Sequence, residues 1–243
     1  MKPTAAFFWR KLDFPGHDSC RLFKLPKGWR LSGAAVFWED GHPCHFHYEV
    51  VTDLGWRTRR ARVTGYLGNR PIDLRINAAG ADWKVDGEVL KGLAGCLDVD
   101  LGFTPATNQI ALRRLSLKVG QRAEAPAAYL SFPSMRFVKL PQTYHRTSRS
   151  EYDYAAPTVH YAGTLQVASS GAIVHYPGLF ERVAVGGATP RSAAGLGVAG
   201  IAGKHELRAE PQLPQRERAL QPRNDLGAQG ELTALRAHQR RPL

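Results

Sequence analysis

The period of the apolar residues constrains this chain more than any other feature. Between Phe7 and Tyr176 they recur at every second position, in short runs cut by turn signals. "WRLSGAAVFWEDGHPCHFHYEV" reads as two strands around the turn Glu39-Asp40-Gly41-His42. In "WRTRRARVTGYLGNRPIDLRI", Trp56, Thr58, Arg60 and Arg62 share one face, while Arg59, Ala61 and Val63 share the other. Leu67–Arg70 then turns, and Ile72, Leu74 and Ile76 alternate. Asp86-Gly87 marks a further hairpin between Trp83/Val85 and Val89. Strands are expected again at Gly95–Leu101, Ile110–Val119, Ala127–Phe132, Met135–Tyr144, Tyr152–Tyr154, Val159–Val167 and Ala172–Tyr176. Only Leu90–Leu93 has room for a turn of helix. The pattern predicts an all-β fold, an antiparallel meander curled into a barrel or roll with little helix. A curled sheet must cover its inner face by closing on itself, by packing a helix inside, or by holding an apolar ligand. With so little helix expected, a lined cavity or groove is the expectation.

Composition divides the chain. All five Trp, and every Tyr and Phe up to Phe180, lie before Val183. Residues 1–183 therefore form the expected domain. Residues 184–243, rich in Ala, Gly, Pro, Gln and Arg, lack the side chains to bury enough apolar area against their ordering entropy. They are expected to be a disordered tail, with a short helix considered near Glu231–Gln239. The abruptness of the change suggests an appended or frame-shifted terminus.

A net charge of +12 permits attraction to nucleic acid or anionic lipid. The basic residues are nonetheless scattered, and no aromatic-basic RNA-binding pattern occurs, so no nucleic-acid partner is expected. The three cysteines, Cys20, Cys44 and Cys96, include no CxxC pair and argue against a disulfide framework. The N-terminal apolar patch Ala5–Trp9 is cut by Arg10 and Lys11, too short for a signal peptide, and no run is long enough to span a membrane. A cytoplasmic location is the expectation. GxSxG, P-loop and GxGxxG fingerprints are absent, and no cofactor is implied.

Several blocks resemble the bacterial putative glycolipid-binding family. They are "LDFPGHDSCRL", "GWRTRRARVTG", "DWKVDG", "LAGCLDVDLGFTPATNQIALRRLSLKVG", "YLSFPSMRFVKLPQTYHR" and "YPGLFERV", in that order from about residue 7 to residue 183. The resemblance implies a spiral β-roll or half-barrel, similar in shape to bacterial lipoprotein carriers of acyl chains. It implies a lipid or glycolipid ligand and supplies no catalytic residues. The tail departs from the family pattern.

In "GCLDVDLGFTPATNQIALRRL", Cys96, Asp98 and Asp100 alternate with Leu97, Val99 and Leu101. The expectation is that the three aliphatics face the packed side. Cys96, Asp98 and Asp100 then face the concave side or an arginine-bearing neighbouring strand, with Arg59, Arg60, Arg62, Arg113 and Arg114 available. Pairing that fixes register is preferred to a metal site, because no His follows at ligand spacing. Under that reading, loss of either carboxylate lowers thermal stability.

The turn Phe103–Asn108 reads first as a self-capped connection. Alternatively it is a rim loop whose Thr104, Thr107 and Asn108 meet a polar headgroup. His42, Cys44, His45 and His47 do not converge as strand residues, so no metal site is assigned. Trp56, Trp83, Phe103, Phe132, Phe137, Tyr144, Tyr152 and Tyr154 mostly fill the core, and any that line a concavity would make a pocket.

These readings converge on a non-catalytic module that holds an amphiphile in an apolar cavity. Trp56, Arg59, Asp98, Asp100, Phe103, Thr104, Asn108, Arg113 and Tyr144 are the candidate ligand contacts. The alternative is an enzyme using the Cys96/Asp98/Asp100 face.

Overall fold

The computed structural model describes residues 2–79 and 82–187. Nearly all of the expected tail, including Glu231–Gln239, lies outside the described residues.

Eight strands follow one another as hairpins: β1 (Ala5–Lys11), β2 (Gly16–Leu25), β3 (Gly28–Glu39), β4 (His42–Thr52), β5 (Thr58–Leu67), β6 (Arg70–Ala79), β7 (Asp82–Val85) and β8 (Glu88–Val89). The Asp-Gly pairs read from the sequence make two of the turns, β3–β4 and β7–β8. Asp40 and Gly41, like Asp86 and Gly87, all hold positive φ, the backbone of a tight hairpin that matches strand twist. In β4 the alternation is strict: Cys44, Phe46, Tyr48, Val50 and Thr52 are buried, and His47 is exposed. His45 and His47 therefore lie outside and pack edge-to-face on each other, while Cys44 points inward.

The chain then leaves the sheet. β9 (Asp98–Leu101) is followed by a 3₁₀ turn, Pro105–Thr107, and by helix α1 (Asn108–Leu115). After these come β10 (Arg122–Glu124), β11 (Ala127–Ser131), β12 (Arg136–Leu140), β13 (Thr143–Arg146), β14 (Glu151–Ala156), β15 (Tyr161–Val167), β16 (Ile173–Tyr176) and β17 (Phe180–Gly187).

Fourteen strands form one sheet in the order β10-β13-β14-β15-β16-β17-β1-β2-β3-β4-β5-β6-β7-β8, every pair antiparallel. The halves join where β1 pairs with β17. A small second sheet, β12-β11-β9, sits apart, and its β9–β11 pair is parallel. The all-β class holds, as a curled, unclosed sheet.

Bonds to the β9–α1 segment establish the curl. Laid flat, fourteen strands would be about 60 Å wide at roughly 4.8 Å per strand. Yet this one segment bonds to β2 and β4 through Thr104, to β13 through Asn108, and to the β15–β16 loop through Gln109, while the Cys96 carbonyl just ahead of it accepts from Trp83 of β7. The sheet therefore wraps around it.

That segment corrects the expectation of a hollow. Val99, Leu101, Phe103, Ala106, Ile110, Ala111 and Leu112 are all buried and belong to the same core as Phe46, Val63, Trp83 and Ile173. The roll is plugged by its own chain. Ile110–Val119, read as a strand, is mostly helix. Thr104 caps the preceding 3₁₀ turn by accepting from the Ala106 amide, Pro105 starts it, and the helix ends at Ser116, which has positive φ. Surrounded on all sides, its apolar residues need no single stripe, and the period-3.6 signal is weak over eight residues.

Other corrections are local. Leu90–Leu93 forms turns and no helix. Met135–Tyr144 is two strands in different sheets, separated at Pro141-Gln142. Ladder partners jump from Val51↔Arg60 to Thr52↔Thr58, so Arg59 is an extra residue, a bulge. That bulge breaks the alternation read for Trp56–Val63. Arg59, Arg60 and Arg62 are exposed, and Thr58, Ala61 and Val63 are buried. Among the described residues no helix is long and apolar enough to cross a membrane.

Candidate functional site

β9 is covered on both faces, so the expected division of its residues into a packed and an open side does not occur. Cys96, Asp98, Val99 and Leu101 are all buried. Asp98 accepts from Nε and Nη2 of Arg114, at 2.9 and 2.7 Å, a forked pair. The arginine comes from α1, where the sequence reading looked to a strand. Burial pushes the Asp98 carboxyl up and the Arg114 bonds oppose it. Burial also works against charge on Arg114, and Asp98 more than offsets this. Burial pushes the Cys96 thiol up to about 11, so it is a packed thiol that keeps its proton at neutral pH.

Asp100 has no arginine. It accepts from Gln142 Nε2 and, at 3.4 Å, from Thr107 Oγ1, which itself accepts from the Leu101 amide. The network runs on: Tyr144 donates to Gln142 Oε1, and Asn108 Nδ2 donates to Tyr144 Oη. Burial raises the Asp100 carboxyl to about 6 against those bonds.

A second buried carboxyl lies behind Thr104. Asp18 of β2 accepts from Thr104 Oγ1 and from Tyr48 Oη, which lies 3.0 Å from Oδ2. Burial pushes it up to about 7, against the bonds from Thr104 and Tyr48 and the nearby Lys11 charge. Gly33 makes this possible, since a Cβ there would lie 2.4 Å from Tyr48 Oη.

Asp100, Thr104 and Asn108 open onto one pocket of about 230 Å³, shared with Gly102, Leu140, Val159 and Leu179. Its walls are aromatic: Tyr129, Tyr154, Tyr161, Tyr176 and Phe180. Tyr129 lies across Gly102, where a Cβ would come 2.6 Å from its Oη. Tyr154, Tyr161 and Tyr176 pack on one another with ring centroids 5.0 to 5.9 Å apart. Tyr161 is fixed by donating to the Pro177 carbonyl at 2.9 Å. Burial raises the Tyr129 phenol to about 12, and Tyr154 and Tyr176 also lie above the ordinary tyrosine value for that reason, so the walls are uncharged.

A family model described as "Putative glycolipid-binding" matches residues 6–182. The chain belongs to that family. A crystal structure of a DUF1089 family protein from Pseudomonas aeruginosa is similar to it, with 30% identity and a TM-score of 0.62. The likeness covers 68% of this chain and 92% of that one. No curated protein matches.

Of the nine candidate contacts, the glycolipid-binding-family fold brings Asp100, Thr104 and Asn108 to the tyrosine pocket, with Tyr144 one hydrogen bond behind. Asp98 is occupied by Arg114. Phe103 is buried against Phe46 and Tyr48. Arg59 is exposed and paired with Asp53 at 3.0 Å. Trp56 and Arg113 lie together at the other end of α1, in a second pocket.

The sequence reading missed Asp18, Gln142, Tyr129, Tyr161 and Tyr176. Asp18 had a signal: it alternates with Cys20 and Leu22 on the buried face of β2, a carboxylate where an apolar residue belongs. Gln142 had a weaker one, two residues before the buried Tyr144.

Proposed function

We propose that the chain is a binding module that takes the sugar headgroup of an amphiphile into the tyrosine pocket. The observation that carries this is the juxtaposition of uncharged tyrosine walls with Asp100, Thr104 and Asn108 in one small pocket. A pyranose has an apolar C–H face and a rim of hydroxyls. Tyrosine rings supply rigid amphipathic surface at low entropy cost. Asp100 and Asn108 bond to neighbours that hold their orientation, and each has capacity to meet a hydroxyl.

The size limits the earlier idea of an acyl-chain carrier. Pockets for drug-sized ligands occupy about 300–1,000 Å³, and this one is about 230 Å³. It suits one sugar ring. Under this reading the acyl chains stay outside, and the family description supports the ligand class.

Native mass spectrometry of protein purified from cells, followed by calorimetric titration with monosaccharides and glycolipid micelles, tests the proposal. Asp100→Asn and Tyr161→Ala are expected to weaken sugar binding about tenfold or more, as loss of a charge-assisted hydrogen bond or an aromatic contact does. If no sugar or glycolipid binds wild-type protein, or if both variants bind as wild type does, the proposal fails.

One observation favours a second reading. A carboxyl raised to about 6 beside a pocket is poised for proton transfer. With Asp98 paired and Cys96 a buried, protonated thiol, an enzyme on this strand would rest on Asp100. Glycoside turnover lost in Asp100→Asn while sugar binding persists would replace the binding module with a hydrolase.

A further inference from the structure

The two arginines ending α1 part company. Arg114 turns to β9 and finds Asp98. Arg113 turns to the opposite side and finds no carboxylate, and its buried Nε has no hydrogen-bond partner. Its stem packs over Gly171, where a Cβ would lie 2.9 Å from Nε, and its guanidinium lies 5.5 Å from the Trp56 ring. Trp56 is itself stacked on Trp29, with centroids 4.9 Å apart.

Two more arginines face the same pocket, which measures about 210 Å³. Arg146 is clamped by three backbone carbonyls: Nη1 donates to Leu117 at 2.6 Å, Nε to Ser148 at 3.1 Å and Nη2 to Arg149 at 2.8 Å. Those bonds fix its position and leave its charge unneutralised. Arg149 is exposed. Among the described residues, neither it nor Arg146 nor Arg113 makes an ion pair, and no carboxylate lines the pocket. Ser116, Ser169 and Tyr152 add hydroxyls, and Trp56 closes one side.

The carbonyls at the end of α1 account for part of this positive charge, since a helix C-terminus attracts cations. They do not account for three arginines lining one pocket. Burial even presses Arg113 toward its neutral form, as expected of a cation awaiting its partner.

We propose that this pocket binds a phosphate-class oxyanion, with Arg113 and Arg149 as its charged ligands and Arg146 as a fixed positive charge. Three uncompensated cations favour a ligand with more than one negative charge, and a phosphomonoester carries about −1.5 to −2 at neutral pH. Planar guanidinium forks match its oxygens. The site shares no residue with the tyrosine pocket and does not depend on sugar binding.

The test is calorimetric titration of the full chain with inorganic phosphate at fixed ionic strength, chloride being the control, and sedimentation with phosphatidylcholine vesicles with and without phosphatidic acid. Arg113→Gln and Arg149→Gln are each expected to weaken binding about tenfold, the loss of one charge-assisted bond. Arg59→Gln, an exposed arginine elsewhere, should bind as wild type does. Because Arg149 is exposed, its variant stays informative even if Arg113→Gln folds poorly. Saturable phosphate binding without sedimentation identifies a soluble phosphate. Arginine-dependent sedimentation with phosphatidic acid identifies a lipid headgroup. Absence of saturable binding to both probes, or equal binding by wild type and the double variant, overturns the proposal.

Discussion

The two ends of α1 differ in nearly every property that decides what a surface binds. Eight residues make a helix about 12 Å long. At its start stand buried carboxyls and neutral tyrosines. At its finish stand three arginines and a tryptophan. The carboxyl end is ordered by a chain of hydrogen bonds from Asn108 to Asp100, and its groups are nearly all satisfied. The arginine end keeps unspent charge and a buried nitrogen without a partner. Both polarities agree with the helix dipole, which favours negative charge at the N-terminus and positive charge at the C-terminus. One short helix thus serves as plug and as the shared wall of two chemically opposite recesses.

Several perturbations would break or sharpen this contrast. The largest effect is expected where α1 is tied to β9. Arg114→Met leaves Asp98 buried and unpaired and should cost about 3–5 kcal/mol, read as a lower denaturation midpoint in urea. Adding Asp98→Leu to that variant should recover most of the loss.

Next comes a pH effect confined to the carboxyl end. Asp18 and Asp100 have raised pKa values in the folded protein, about 7 and about 6, so the native state holds protons the unfolded chain has released. Their stabilisation is full below about pH 4 and is lost as pH rises through 6 and 7. The melting temperature set by these two groups should be higher at pH 5 than at pH 8, by roughly 5 °C or more. Asp18→Asn should flatten the upper part of that slope, and calorimetric scans across the range would read it.

A smaller effect is expected at Gly171, whose φ of +78° strains any replacement and whose Cβ would displace Arg113. Gly171→Ala should cost about 1 kcal/mol and disturb the arginine end while leaving sugar binding intact. Gly102→Ala is its counterpart at the tyrosine pocket: it should push Tyr129 and reduce sugar binding with phosphate binding unaltered, as parallel titrations would reveal. Arg59→Ala, which breaks an exposed ion pair, should change stability by less than about 1 kcal/mol.

The sheet was legible because a half-buried strand writes its burial into every second residue. β2, β4 and β6 carry that alternation almost without error, and Asp40-Gly41 marks the turn that leads into β4. The insert was not legible for the converse reason. β9 and α1 are enclosed by protein, so neither displays one wet face and one dry face. Ile110–Leu115 has no periodicity to separate a short buried helix from a strand. The FTPATN block drew attention rightly, since it places Thr104, Thr107 and Asn108. Its partners Asp18, Gln142 and Tyr176 lie far off in sequence, brought together only by the curl. Arg59 was lost to a bulge, which shifts every residue beyond it to the opposite face.

The seam between β1 and β17 has a consequence for how the molecule is made. Ala5 faces Gly187 across that ladder, so the middle of the large sheet is assembled from opposite ends of the domain. On a ribosome the β1–β8 meander can form early, but one edge of β1 stays open until the final strand emerges. Such distant pairing folds slowly, and an uncovered edge invites other chains to add to it. Translation that stops short of Phe180 would leave that edge permanently bare, and aggregation, more than loss of any pocket, would be its mark.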